Sequence, residues 1–342
     1  MSVHLTAGGH VPIDEAWLAK NREPILEPGL PIIDPHHHIW DRHGETYLLP
    51  DLLRDTATGH DIRATVFIQC ASMYDETAEP ARQPLGETRF MTEVAKAAEA
   101  GRTRACAGIV GLVDLTLGER VTPLLEEHVA VSGGRFKGVR NRTAWDPSPR
   151  VRTNLEVPPP GPLNDPAFQE GARRLGELGL TLDVWAYHAQ LPLVLDVARA
   201  APGTTVVIDH CGGQLGVGPY EGKAAEVFAD WRRSMAALAA LPNVLVKLGG
   251  LAMEVSGKQW HTRPTPPTSE ELAEDWRPQI ETCIELFGTG RCMYESNFPV
   301  DKGMCGYAAL WNAFKRLSAG ASADEKTALF SGTAARAYRL SV

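Results

Sequence analysis

The segment Ile33-Asp34-Pro35-His36-His37-His38 carries the strongest chemical signal in the chain. Side chains alternate across an extended strand, so His36 and His38 share one face and His37 takes the other. Two imidazoles side by side can grip one metal ion or one anionic group together. A lone His-x-His is more often a solvated cluster, or a histidine satisfied by a backbone carbonyl. Here, however, further apolar runs also close on polar groups: Tyr187-His188, Asp209-His210 and Glu295-Ser296-Asn297. Buried polar groups cost free energy unless they are paired, so their recurrence at run ends points to one shared pocket.

The elements that must bring these residues together are short, strongly apolar runs: Ile32-Ile33, Ala64 to Ile68, Ala105 to Val113, Phe136 to Val139, Thr181 to Val184, Thr205 to Ile208, Val244 to Leu248 and Cys292 to Glu295. Runs of this length bounded by Gly, Pro or polar residues suit strands of a parallel sheet covered on both faces. Segments with helical spacing lie between them, among them Arg89 to Ala100, Pro166 to Leu178, Leu191 to Arg199, Glu221 to Ala240 and Ser269 to Leu286. Asn164-Asp165-Pro166 and Pro267-Thr268-Ser269-Glu270 read as helix entries. Alternating strands and helices in this number predict an α/β fold, a closed (β/α)8 TIM barrel formed by residues 31–342. Residues 1–30 precede the first strand and are expected to form an N-terminal arm, which can also pack on a second subunit of a homo-oligomer. Thr143 to Pro162 is a long loop after the fourth strand, a length usually reserved for covering a site.

Composition narrows the function classes. The formal net charge is -8, and no Lys/Arg cluster or basic helix face follows a phosphate backbone, so nucleic acid is not an expected partner. The first residues include Asp14 and Glu15 where a leader needs an apolar core, and no run approaches a membrane span, so the expected location is the cytoplasm, away from membranes. Six cysteines without a CxxC pair argue against a disulfide framework and a thiolate zinc site.

Pro31-Ile32-Ile33-Asp34-Pro35-His36-His37-His38-Ile39-Trp40-Asp41, Phe136-Lys137-Gly138-Val139-Arg140, Val207-Ile208-Asp209-His210-Cys211-Gly212 and Glu295-Ser296-Asn297-Phe298-Pro299 together resemble the amidohydrolase-2 branch of the amidohydrolase superfamily. That branch includes enzymes similar to L-fuconolactonase and to 2-pyrone-4,6-dicarboxylate lactonase. The likeness spans residues 30 to 335 and keeps its order at strands one, four, six and eight. It implies a hydrolase, commonly a lactonase, acting on a small carboxylated or sugar-derived lactone. His36, His38 and His210 carry over as electrophilic or metal-binding groups, Arg140 as a substrate-binding cation, and His188 as the fifth-strand histidine. Some members hold a divalent metal, for which three imidazoles would suit zinc, and others work without one.

The chain departs from the branch at the eighth strand, where Asn297 stands in place of the usual aspartate. An amide cannot act as a general base, although it can bind substrate by hydrogen bonding. Two carboxylates are available instead: Glu295, one step deeper on the same face, and Asp301 in the following loop. Each has a plain structural alternative, an ion pair with Lys247 or Arg140 for Glu295, and a pairing with Lys302 or a helix cap for Asp301. Lys247 closes the seventh run and can bind substrate if it points inward. Trp40, Tyr187 and Trp185 either line the pocket or fill the core. Two other functions stay open on this scaffold: decarboxylation of a small aromatic or muconate-type acid, and binding of a small anion without catalysis.

Overall fold

The computed structural model describes residues 10–42, 44–151 and 161–341. Eight strands follow one another around a sheet in chain order: β1 (Pro31–His37), β2 (Asp61–Ile68), β3 (Arg104–Gly111), β4 (Phe136–Arg142), β5 (Thr181–Trp185), β6 (Val206–Ile208), β7 (Val244–Leu248) and β8 (Cys292–Tyr294). Every neighbouring pair is parallel, as strands joined by helical crossovers must be. The ring closes where His37 bridges Phe298 in parallel and the His38 amide donates to the Phe298 carbonyl at 2.7 Å. This is the expected (β/α)8 barrel.

Helices Leu85–Ala97, Val121–Val131, Pro166–Glu177, Leu191–Ala200, Ala224–Ala239, Ser269–Phe287 and Tyr307–Leu317 pack around it. The two predicted helix entries form as the local chemistry dictates. Asp165 accepts from the Ala167 amide at 2.8 Å with Pro166 in the first turn, and Thr268 and Glu271 form a reciprocal capping box. Val121–Val131 and Tyr307–Leu317 lie outside the segments that sequence periodicity singled out.

The barrel interior changes character along its axis. Its foot is apolar: Ile33, Ala64, Val66, Ile68, Val110, Val207 and Met293 pack with Ala334, Ala337 and Tyr338 from the C-terminal helix, which plugs that end. Further along β1 and β4 to β8 the residues become Asp183, Lys247, Arg140, Asp209, Glu295 and His36, all buried. A register irregularity between Asp34 and His37 accompanies the change on β1.

The arm lies along its own barrel. Trp17 Nε1 donates to the Arg263 carbonyl at 2.8 Å, Glu23 accepts from the Ser269 amide at 2.7 Å, and Lys315 Nζ donates to the carbonyls of Leu26 and Glu27 at 2.7 and 2.9 Å. All six cysteines are buried and free. No helix among the described residues is long and apolar enough to cross a membrane. Within the loop from Thr143 to Pro162, residues 152–160 lie outside the described part.

Candidate active site

The strand ends converge as the barrel geometry requires. The His36 ring lies 5.0 Å from His38 and 4.5 Å from His210, centroid to centroid. His37 points away, bonded through Nε2 to Thr65 Oγ1 at 2.8 Å, and burial depresses its pKa to about 3.

Glu295 joins two of the imidazoles. One carboxylate oxygen lies 2.7 Å from His210 Nδ1 and accepts the His210 amide at 3.0 Å, while the other lies 2.9 Å from His36 Nδ1. Burial alone would raise this carboxyl, yet the neighbouring His210 and His36 hold it down to about 2. Its partners are therefore histidines rather than Lys247 or Arg140. Close approach depends on the Gly249-Gly250 turn after β7. A Cβ on Gly250, whose φ is +62°, would sit 2.3 Å from His210 Nδ1, and one on Gly249 would sit 2.5 Å from Glu295 Cγ. His210 and Asn297 themselves adopt left-handed φ of +57° and +55°. Strain of this kind costs about 1–3 kcal/mol per residue and gathers at functional sites.

Two permanent cations complete the group. Lys247 is fully buried, with Nζ at 2.7 Å from Asp183, 3.0 Å from Asp209 and 3.2 Å from His36 Nδ1. Burial works against its charge, but Asp183, Asp209 and Glu295 outweigh that and raise its pKa. Arg140 donates to the Gln69 carbonyl and places Nη1 at 3.3 Å from His36 Nε2 and 3.5 Å from Asp209. Burial, followed by the Lys247 charge at His36 and the Arg140 charge at His38, drives both imidazoles well below their usual pKa. Both are therefore neutral.

The tautomers follow from these partners. His38 Nδ1 bonds the Ile68 carbonyl at 2.8 Å, which requires an N–H there and leaves a lone pair on Nε2. His210 is likewise held by Glu295 at Nδ1. Among the described residues neither Nε2 has a hydrogen-bond partner. His36 differs, because its Nε2 faces Arg140 and its Nδ1 faces Glu295 and Lys247.

The remaining expected residues take varied places. Asn297 donates from Nδ2 to Asp301 at 2.8 Å, and Asp301 also accepts the Ala252 amide at 3.1 Å. Burial lifts the Asp301 carboxyl to about 7. It neither pairs with Lys302 nor caps a long helix, since Lys302 turns to Asp55 and Glu15. His188 packs edge-on against Tyr220 at 4.9 Å and is not part of the converging imidazole group. Trp40 stacks on His38 at 6.0 Å, and Arg42 covers its ring at 4.7 Å. Tyr187 and Trp185 join Ala144, Val151, Leu215, Met253 and Val255 in an apolar group from the loops after β4 to β7. Trp185 meets His210 edge-on at 4.7 Å, which places this group over the imidazoles.

Sequence reasoning gave no role to Asp183 or Tyr338, and it named Asp209 only as part of the Asp209-His210 run end. Asp183 had a signal, a charge inside an apolar strand run. Tyr338, whose hydroxyl donates to Asp183 at 2.6 Å, had none, because it lies far away at the C-terminal end of the chain.

His36, Asp209 and His210 offer ligand atoms within 4.8 Å of one another, a spacing that can hold a metal ion. The charges around them oppose it. Lys247 covers one side of His36 and Asp209, and Arg140 covers the other, so a dication would meet two fixed positive charges and find two of these three donor groups already engaged. The donor set as arranged does not fit a metal.

The amidohydrolase family model matches residues 33–340. The y4mH protein of Sinorhizobium fredii is 32% identical over 331 residues, covering 90% of this chain and 98% of its own. An L-fucono-1,5-lactonase of Burkholderia multivorans is 27% identical, with 90% and 96% covered. A crystal structure of a Burkholderia multivorans amidohydrolase with bound zinc superimposes with a TM-score of 0.68 at 26% identity, covering 91% of this chain and 99% of that one. With the barrel, the imidazole group and a match across nearly its whole length, the chain belongs to the amidohydrolase family.

Proposed function

We propose that the protein is a hydrolase that opens a small lactone by adding water, with His210 as the base and Arg140 as the group that binds the carbonyl or a substrate carboxylate. The observation that carries this reading is the Glu295–His210 pair at 2.7 Å beside an unpartnered His210 Nε2. A carboxylate behind an imidazole fixes its tautomer and stabilises the imidazolium formed when it takes a proton. Water attacks the acyl carbon and its proton passes to His210 Nε2. The same proton then reaches the ring oxygen as the acyl C–O bond breaks, leaving a hydroxy acid. Arg140 faces the region where negative charge develops on the carbonyl oxygen, while the lone pair on His38 Nε2 can accept from a substrate hydroxyl. Glu295, with both oxygens engaged by imidazoles, orients rather than abstracts. Asp301 is bonded to Asn297 and Ala252 and serves to hold Asn297 toward the site. No step passes through a metal.

The relative named L-fucono-1,5-lactonase supports the lactone reading, and the apolar lid of Trp185, Tyr187 and Met253 suits a compact ring. The test is turnover of a panel of sugar-derived and carboxylated lactones by the wild type, His36→Ala and His210→Ala. Both variants should lose activity toward whichever lactone is opened, and near-wild-type rates in both would remove the proposal. Carbon dioxide release from an aromatic acid panel, without lactone opening, would instead make it a decarboxylase.

A further inference from the structure

The most unusual feature inside the barrel is a lysine where a ligand cage would be. Lys247 Nζ is surrounded by Asp183 at 2.7 Å, Asp209 at 3.0 Å and His36 Nδ1 at 3.2 Å, with no exposure to solvent. Two carboxylates and an imidazole arranged around one point are the donor chemistry of a divalent ion site. The cage is itself built. Asp183 is fixed by the Tyr338 hydroxyl at 2.6 Å and by Thr181 Oγ1 at 2.9 Å, and the Tyr338 ring lies under the ammonium at 5.5 Å. Asp209 is held from its other side by Arg140 at 3.5 Å.

A bare ammonium in this position would be very costly to bury, and an empty cage of carboxylates equally so. Each is the other's compensation, which leaves no electrostatic vacancy for a second cation. We propose that Lys247 is the resident cation of this barrel: its ammonium fills the position that a divalent metal would take between Asp183, Asp209 and His36, and it keeps metal out. The consequence is a site whose positive charge is covalently part of the chain and cannot be removed by chelation or exchanged with the surrounding metal pool.

The test uses the full-length chain, freed of metal by chelation and titrated with Co2+, read by elemental analysis after dialysis and by the visible absorption of bound cobalt. Neither readout needs a substrate, so the result stands or falls separately from the lactonase reading. The wild type should take up no stoichiometric Co2+. Lys247→Ala should take up one equivalent, and Asp209→Asn added to it should abolish that uptake. Because Lys247→Ala leaves adjacent carboxylates uncompensated, Lys247→Ala/Asp183→Asn provides a less charged version of the same vacancy, and it should bind Co2+ through His36 and Asp209. One equivalent bound by the wild type and lost in His36→Ala would overturn the proposal. So would a Lys247→Ala or double variant that folds, by its circular dichroism, and binds none.

Discussion

Two buried charged groups in this molecule use nearly the same residue types for opposite ends. At the barrel mouth, His36, His210, Glu295, Asp209, Lys247 and Arg140 come from five strands or strand ends and, among the described residues, still leave Nε2 of His38 and His210 without hydrogen-bond partners. On the barrel's flank, Lys302 Nζ meets both oxygens of Asp55 at 2.9 Å and Glu15 at 2.8 Å, while the Tyr47 hydroxyl donates to Asp55 at 2.6 Å. Nearby, His60 has both nitrogens engaged, by Lys315 at 2.8 Å and the Ala308 carbonyl at 3.1 Å. The flank group is satisfied and ties the arm and the helix Leu49–Thr56 to the turn after β8. The mouth group is strained and incompletely satisfied, and that unused bonding capacity is what a substrate can take up. Burial of charge marks both groups, so it cannot identify a site by itself. What sets the mouth apart is that its imidazoles, carboxylates and cations converge from several strand ends on one region.

Removing one charge from each group should separate them most sharply. Glu295→Gln keeps the volume, but its single carbonyl oxygen cannot accept from both imidazoles, so His210 loses its fixed tautomer. Turnover should fall by about 10⁴-fold, the scale seen when a carboxylate behind a catalytic histidine is neutralised, with the far-ultraviolet circular dichroism unchanged. Wild-type kcat in this variant would remove the distinction between the two groups.

The converse holds on the flank. Asp55→Ala leaves the buried Lys302 without its main partner and should cost about 3–5 kcal/mol of stability, measured by denaturant unfolding. Turnover per folded molecule should stay at the wild-type level. A loss of kcat without a loss of stability would show that the flank group also serves the chemistry.

A pH-dependent effect is expected at Asp301, which is followed directly by Lys302. Its folded pKa is raised from 3.8 to about 7, so between those values the folded chain binds more protons at this residue than the unfolded chain does. Stability contributed here is therefore lost as pH rises through that window. Asp301→Asn should flatten this part of the stability profile, and an unchanged slope between pH 4 and 7 would show that Asp301 is already ionised.

Much of the frame was legible because parallel strands buried on both faces write themselves as apolar runs, and each of the eight runs became a strand. Helix entries at Asp165 and Thr268 were equally readable from local capping chemistry. Helices Val121–Val131 and Tyr307–Leu317 were harder. The second is buried along most of its length, so it lacks the polar stripe that makes a surface helix visible. At the site, the strand-end rule brought out His36, His38, His210, Glu295, Arg140 and Lys247, but it also brought out His188. The 3-10 turn that follows β5 directs that ring toward Tyr220, and strand parity does not extend into such a turn.

Local sequence determined where strands begin and end, which helices are capped and which polar residues close each run, because these depend on neighbours within a few residues. Only the closed barrel decided that Glu295 belongs to two histidines, that Lys247 sits among Asp183, Asp209 and His36, and that Tyr338 reaches them from the far end of the chain. Those pairings join residues as much as 259 positions apart, Glu295 to His36, and the choice among competing partners rests on distances of a few tenths of an ångström set by packing.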